Sequence, residues 1–452
     1  MVWKRLSASG WRARFASRPS GKSGPAHDII ACVQIAEPRT NVRWWILSLL
    51  FFATTINYLD RILLSVLIPV IREDLRLNDQ QYGNVQACFQ FAYTLGFLFM
   101  GKFIDKAGTR IGYMVSLIWW SLAAGAHALA GSVVSLGIWR AVLGLGEAGN
   151  FPAAIKSVSE WFPQKDRAFA TGIFNAGTNV ASMVGPYAFV WITQQVGWRA
   201  CFLLTSSLGL IWLVFWLWMY RRPEEHASVN AAERAYILAD DAKEVAAPKI
   251  GWAKALTYRQ TWGFGLAKFF TDPVWWFYLY WLPPYLFDVR KFKMTEIAWA
   301  LPVIYLMADF GSVGGGWISG WLIRRGWPLG RARKFAMGIC ALAMPVAALS
   351  VLAESPFVAI ALVSLATSAH QGWSANLYTT TSDIFPKEAT ASVTGIGGCL
   401  GGLGGVLFST VLPGYIVTHF GYTPMFLIMG SFHLIAWLAA HLLLGNMEPI
   451  KE

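Results

Sequence analysis

Ile56-Asn57-Tyr58-Leu59-Asp60-Arg61 sets an acid beside a base in the middle of an otherwise apolar run from Trp44 to Val70. The run is long enough to span a bilayer, for which about 20 residues suffice. A charge at bilayer depth costs roughly 2.5–3.5 kcal/mol on insertion scales, so it survives only where it faces protein interior or an aqueous cavity. Successive side chains on a helix point about 100° apart. Asp60 and Arg61 therefore do not simply serve each other, and each must look toward a group on another helix. Two readings stay open: a pair of structural ion bridges, or a site.

The rest of the chain supports the membrane setting. Of 452 residues, 56% are hydrophobic and only 14% charged, which fits a polytopic membrane protein and argues against a soluble globule or soluble enzyme. The net charge of +12 comes from short basic clusters between apolar runs, with no single basic face, so membrane topology explains it better than nucleic acid does. Cys32, Cys88, Cys201, Cys340 and Cys399 stand apart, without a Cys-x-x-Cys or His-rich neighbour. No disulfide, metal or cofactor is expected.

Twelve apolar runs recur, at 44–70, 82–103, 112–130, 133–155, 168–195, 198–220, 261–287, 297–323, 334–353, 356–381, 391–417 and 421–445. Basic residues gather after the second (Lys102, Lys106, Arg110), the fourth (Lys165, Arg167) and the eighth (Arg324, Arg325, Arg331, Arg333, Lys334). By the positive-inside rule those connections and both termini are cytoplasmic, in a multi-pass protein of the cell's inner (plasma) membrane. Residues 1–42 read as a basic, disordered cytoplasmic tail without the apolar core of a cleavable signal. Residues 221–259 mix both signs and read as a hydrated cytoplasmic linker between six-helix lobes at 43–220 and 260–446, with 447–452 as a second tail. The lobes repeat each other. Trp161-Phe162-Pro163 and Thr171-Gly172 return as Ile384-Phe385-Pro386 and Thr394-Gly395, 223 residues on in both cases, and Gly197 and Phe202 return as Gly421 and Phe426 at a shift of 224. The expected fold is all-α, with about twelve transmembrane helices in two pseudo-repeat lobes that rock about a central site.

Gly101-Lys102-Phe103-Ile104-Asp105-Lys106-Ala107-Gly108-Thr109-Arg110 follows the second span, with an acid flanked by bases at the membrane edge. With the doubled topology, it resembles the signature loop of the major facilitator superfamily. Asp105 and Arg110 are the gating candidates, since an acid there can clasp a neighbouring helix end in one lobe state. The second-half copy, Gly320 to Gly326, carries Arg324 where the acid would be. In the fourth span Arg140 and Glu147 lie seven residues apart, two turns along one face. They can meet Asp60 and Arg61 either as structural bridges, Arg140 to Asp60 and Glu147 to Arg61, or as groups that trade protons against substrate charge. Tyr93, Asn175, Thr178, Gln371, Trp373, Asn376 and Tyr378 can line a pocket for a polyol, although each alone also serves helix packing. His370, Asp272 and Asp309 rank lower, having no motif around them. The glycines from Gly395 to Gly405 read as close helix packing, because no strand or Lys makes them a phosphate loop.

Asn57 to Arg61, Gly146-Glu147-Ala148-Gly149-Asn150-Phe151-Pro152, Glu160 to Pro163, Gly172 to Thr178 and Gly372-Trp373-Ser374-Ala375-Asn376 together resemble the anion:cation symporter family, and within it bacterial hexuronate transporters. The resemblance implies that Arg61 holds a substrate carboxylate. It further implies that Asp60 and Glu147 carry coupling protons with Arg140 close to Asp60, and that Tyr58 and Tyr93 help bind a sugar acid. Against relatives that carry galactonate the chain departs at Thr178 and Cys399, where they offer Gln and Asn. The function expected is proton-coupled import of a sugar-acid anion, a hexuronate such as galacturonate or glucuronate, by a monomer in the lipid bilayer. D-galactonate, glucarate or an aromatic carboxylate are the alternative substrates. A non-transporting nutrient sensor is the alternative of another class.

Overall fold

A computed structural model describes residues 39–77, 79–240, 250–292 and 294–450. The expected N-terminal tail, except residues 39–42, lies outside the described residues, as do 241–249 of the linker and the last two residues. The first half is built from α1 (Val42–Leu75), α2 (Asp79–Ala107), α3 (Thr109–Ala126), α4 (Val133–Glu147), α5 (Asn150–Trp161), α6 (Gln164–Val196) and α7 (Trp198–Met219). Two short helices, α8 (Ala231–Ile237) and α9 (Trp252–Ala255), lie in the connection. The second half contains α10 (Arg259–Pro284), α11 (Met294–Arg324), α12 (Leu329–Ala348), α13 (Pro356–Ile384), α14 (Lys387–Gly405), α15 (Leu412–Phe420) and α16 (Thr423–Leu443). Among the described residues no strand forms.

Counting α4 with α5 and α14 with α15 as single spans, these helices make the twelve crossings expected. Seven, including α1, α2, α7, α12 and α16, are long and apolar enough to cross a bilayer by length and composition alone. Helices such as α6, α10 and α13 reach 33, 26 and 29 residues but carry the Asn, Gln, Lys and Asp side chains that face the interior, which dilutes their hydropathy. α14, another of the seven, is apolar although its apolar stretch is 72% buried, because glycines rather than polar side chains face its neighbours.

The repeat is visible in the backbone. Pro163 and Pro386 hold the same N-cap position before α6 and α14, with φ, ψ of −65°, 155° and −62°, 157°. Gly197 and Gly421, just before α7 and α16, have φ of 86° and 75°. Between the halves α2 packs along α14 and α6 along α11. The glycine face of α14 makes the first contact possible: a Cβ on Gly395 would lie 2.2 Å from the Phe97 carbonyl oxygen of α2. On its other side, a Cβ on Gly404 would lie 2.0 Å from the Phe269 carbonyl oxygen of α10. Backbones that close exclude any side chain larger than hydrogen.

The connection between the halves is not wholly a hydrated linker. Glu233 of α8 is fully buried and caps the start of α1. Its carboxylate accepts the Val42 amide at 3.1 Å, the Arg43 amide at 3.3 Å, the Thr40 hydroxyl at 2.5 Å and the Arg43 guanidinium at 3.0 Å. An anion at a helix N-terminus satisfies orphan amides and complements the helix dipole. Removing it strands Arg43 as well. Glu233→Ala is expected to cost about 1–3 kcal/mol of stability, read as a lower unfolding midpoint in detergent, with Glu233→Gln intermediate. An unchanged midpoint for the alanine variant would show that the cap is ornamental.

Candidate functional site

The fourth span breaks where its acid sits. α4 ends at Glu147 and α5 begins at Asn150. Gly149 lies in the break, where a Cβ would come within 2.2 Å of the Ser116 hydroxyl of α3, and Ser116 donates to the Gly146 carbonyl at 2.6 Å. Pro152 just beyond lacks the amide that would carry the hydrogen-bond ladder back across the break. The break fixes Glu147, fully buried, opposite α1.

Arg61 meets it there. Its Nε and Nη2 donate to one oxygen, Glu147 Oε2, at 3.0 and 2.9 Å. Glu147 Oε1 is buried and has no partner. The guanidinium also lies 4.3 Å from the Tyr93 ring, 4.6 Å from Tyr58 and 5.3 Å from Phe89. Three aromatic faces, one carboxylate oxygen and, at 3.5 Å, the Asn57 side-chain oxygen thus hold the cation.

Asp60 points away from this group, as the 100° step between neighbours requires. It is 1% exposed, and neither carboxylate oxygen has a hydrogen-bond partner. Thr205 of α7 lies beside it, but that hydroxyl donates to the Phe202 carbonyl at 3.3 Å. Arg140 does not pair with Asp60, the bridge that a purely structural reading would need. Its Nη2 donates instead to Gln86 Oε1 at 2.8 Å and to the Arg61 carbonyl at 3.2 Å, with the guanidinium 4.8 Å from the Phe89 ring. Arg140 therefore braces α1 and α2, and Asp60 is left as an unpartnered buried acid.

Both halves line one cavity. Tyr58, Arg61, Tyr93 and Thr178 come from the first half, and Asp272, Gln371, Ser374 and Tyr378 from the second. Asn175 lines it too, donating across the halves to Gln371 Oε1 at 2.6 Å. The Thr178 hydroxyl oxygen has no partner. Trp373 and Asn376, read from the sequence as pocket residues, do not reach the cavity. Trp373 is wholly buried against His433, and Asn376 donates to the Gly315 and Gly372 carbonyls at 2.9 and 3.0 Å. The helical period explains this: His370, Ser374 and Tyr378 form the i, i+4, i+8 stripe on α13 that faces the cavity, and positions 373 and 376 lie round the helix from it. The space inside is about 50 Å³. At about 10–15 Å³ per water on this measure, it holds a few waters, so a six-carbon anion needs the halves to part.

At the end of the bundle that carries Asp105 the halves are clamped. Asp105 accepts Lys156 Nζ at 2.8 Å and, across the halves, the Ala391 and Ser392 amides of α14 at 3.2 and 2.6 Å. Arg110 stays within its own half, donating to the Leu217 carbonyl at 2.6 Å. The departing copy of the loop makes a clamp of another kind, because Arg324 pairs with Asp166 of the first half at 3.3 Å. Arg333, 223 residues after Arg110, donates to Asp383 at 3.0 Å and to the Gln164 carbonyl at 2.7 Å, and Arg167 bonds the Ser382 carbonyl from the other side. Asp383 escaped the sequence reading, although it stands 223 residues after Glu160.

Sequence reasoning also missed Lys268. It lies on α10 one turn before Asp272, donates to Asp272 Oδ1 at 2.9 Å and to the Tyr378 hydroxyl at 2.8 Å, and is 2% exposed. An i, i+4 Lys–Asp pair inside an apolar span was the available signal.

Two six-helix halves, clamped at one end over a charged cavity to which both contribute, define a membrane carrier of the alternating-access class. Residues 50–409 match the Major Facilitator Superfamily. The chain is 32% identical over 415 residues to the hexuronate transporter of Escherichia coli K12, covering 91% of this chain and 96% of that one. It is 33% identical over 330 residues to the galacturonate transporter of Dickeya chrysanthemi, covering 71% and 94%. The human organic anion transporter MFSD10 (TETRAN) superposes with a TM-score of 0.69 at 16% identity, over 89% of this chain and 100% of that one, which speaks for the fold. The chain belongs to the Major Facilitator Superfamily. It is a multi-pass membrane transporter and not an enzyme.

The Arg61 geometry yields a direct test. A lysine keeps the charge but cannot reach one oxygen through two nitrogens while packing among aromatic rings. Arg61→Lys is expected to lower counterflow of a bound anion by about tenfold or more at equal amounts of inserted protein. Wild-type rates in that variant would remove Arg61 from the site.

Proposed function

We propose that this transporter is a proton-coupled symporter that imports a sugar-acid anion, above all a hexuronate such as galacturonate or glucuronate. The observation that carries the reading is the half-used ion pair: Arg61 spends two donors on one Glu147 oxygen, beside the cavity, while the other Glu147 oxygen is free. A substrate carboxylate competes with Glu147 for a planar guanidinium whose geometry suits it bidentately. A proton on Glu147 releases Arg61 to that carboxylate. Proton and anion therefore load together, which is the chemical requirement of symport. Asp60, buried and unpartnered, is suited to carry a second proton, because an isolated charge there costs several kcal/mol.

The cycle runs by rocking of the halves. With both acids neutral and the anion on Arg61, the site carries one positive charge more than when empty, left on Arg140, and the lobes can exchange the side that is closed. After release, the acids lose their protons and Glu147 recaptures Arg61. The basic connections support cytoplasmic termini, so that the clamp at Asp105 faces the cytoplasm and loading is from outside an inner membrane. Import of net positive charge gains about 2.3 kcal/mol per charge per 100 mV. One chain supplies both walls of the cavity, so a monomer suffices. The hexuronate and galacturonate names of the two relatives support the substrate class, as does a cavity that offers tyrosine hydroxyls and amides to a hydroxylated tail.

Coupling and binding separate in a single variant. Glu147→Gln keeps shape and hydrogen bonding but cannot exchange a proton. Counterflow of galacturonate in proteoliposomes should persist, and accumulation driven by a pH gradient should fall by about tenfold or more. Asp60→Asn should behave likewise. Equal loss of both activities in both variants would make the acids structural members only.

A further inference from the structure

The second half brings its own charge pair to the cavity, and the burial of its two members differs. The Lys268 side chain is 2% exposed and that of Asp272 21%. Lys268 Nζ contacts both Asp272 oxygens, at 2.9 and 2.8 Å, and donates to the Tyr378 hydroxyl at 2.8 Å. The ammonium's donors are thus spent behind the cavity wall. Asp272 lines the cavity and keeps lone pairs beyond those that Lys268 uses. On its other flank stands the bare backbone of α14: a Cβ on Gly401 would lie 2.0 Å from Asp272 Oδ2. The carboxylate is therefore walled by α14, neutralised from behind by Lys268, and presents its remaining acceptor capacity to the space that Arg61 enters from the first half.

We infer that Asp272 is the specificity residue of this carrier: it accepts hydroxyls of the sugar tail and excludes a second carboxylate, so that acids with one carboxylate pass and aldaric acids with two are refused. The inference rests on the proposed sugar-acid reading and adds to it. A carboxylate that accepts from hydroxyls makes charge-assisted hydrogen bonds. The same group facing another carboxylate meets like-charge repulsion in a confined, poorly hydrated space, where rejection of the wrong ligand is strongest. Lys268 does not turn the wall into a second anion site, because its donors are already engaged. It permits an acid to stand at bilayer depth at all.

The test is competition against labelled galacturonate counterflow by the full-length protein in proteoliposomes, using galacturonate and galactarate, which share a carbon skeleton and differ at C1, a ring hemiacetal in the first and a second carboxylate in the open chain of the other; galactonate, open-chain with one carboxylate, controls for the ring. The wild-type protein should be inhibited about tenfold more weakly by galactarate. In Asp272→Asn, which leaves Lys268 positive, galacturonate should weaken and galactarate strengthen, narrowing the gap by about tenfold or more. Asp272→Glu should restore the wild-type order. Equal inhibition by both acids in the wild type overturns the inference, and needs no variant to fold. Loss of both affinities by one common factor in Asp272→Asn, at equal inserted protein, overturns it too. If the wild type carries no sugar acid, the underlying reading fails with it; if it carries hexuronate with no preference over galactarate, only the role of Asp272 fails.

Discussion

Charge buried at bilayer depth must be matched, and most of this architecture follows from how each match is made. Arg61 is matched by Glu147 and three aromatic faces, Lys268 by Asp272, and Asp383 by two arginines. Each match ties one helix to another, or one turn of a helix to the next. None is redundant, because a lone charge in the apolar interior costs more than most packing contacts return. Two groups near the cavity depart from this. Asp60 is buried without a hydrogen-bond partner, and Arg140 meets only neutral oxygens, of Gln86 and the Arg61 carbonyl.

The matches fall into two groups by where they lie. Those at the clamped end cross between the halves through Asp105, Arg324, Arg333 and Arg167, and several end on backbone amides or carbonyls. Such bonds exchange readily for water when the halves part, since backbone groups at a membrane edge are easily hydrated. The cavity pairs stay within one half each. In the proposed cycle they keep their local partners however the halves move, and change only when a proton or an anion arrives. A carrier needs this division: its gate must respond to motion, and its site to ligand.

Packing makes the division mechanical. The glycine face of α14 lets α2 and α10 lie backbone to backbone on either side of it, so that one helix belongs to both the inter-half contact and the cavity wall. The break between α4 and α5 does the same for the first half, since it aims Glu147 at α1 and frees backbone carbonyls for Ser116. Small residues thus position the charged ones.

Topology, the repeat and the charged motif of α1 were legible in the sequence because each is periodic or local. Apolar runs report the bilayer, the 223-residue shift reports duplication, and two charges in one span report an interior site. The Arg61–Glu147 pair was legible for the same reason, since two turns on one face and one motif leave few partners. What the order of residues did not contain was which groups from distant helices share a space. Trp373 and Asn376 had suitable chemistry and a fitting motif, yet the rotation of α13 turns them away. Lys268 and Asp383 sat in plain runs, and they back the cavity wall at Asp272 and anchor the clamp. The bridge from Arg140 to Asp60, one of two readings open in the sequence, does not form, and Arg140 reaches Gln86 instead. Helix rotation and tilt are set by side-chain packing across the whole bundle, a many-body constraint that no local pattern encodes. The sequence by itself determined the membrane, the two halves and the first charged wall; only the tertiary structure decided what stands opposite that wall.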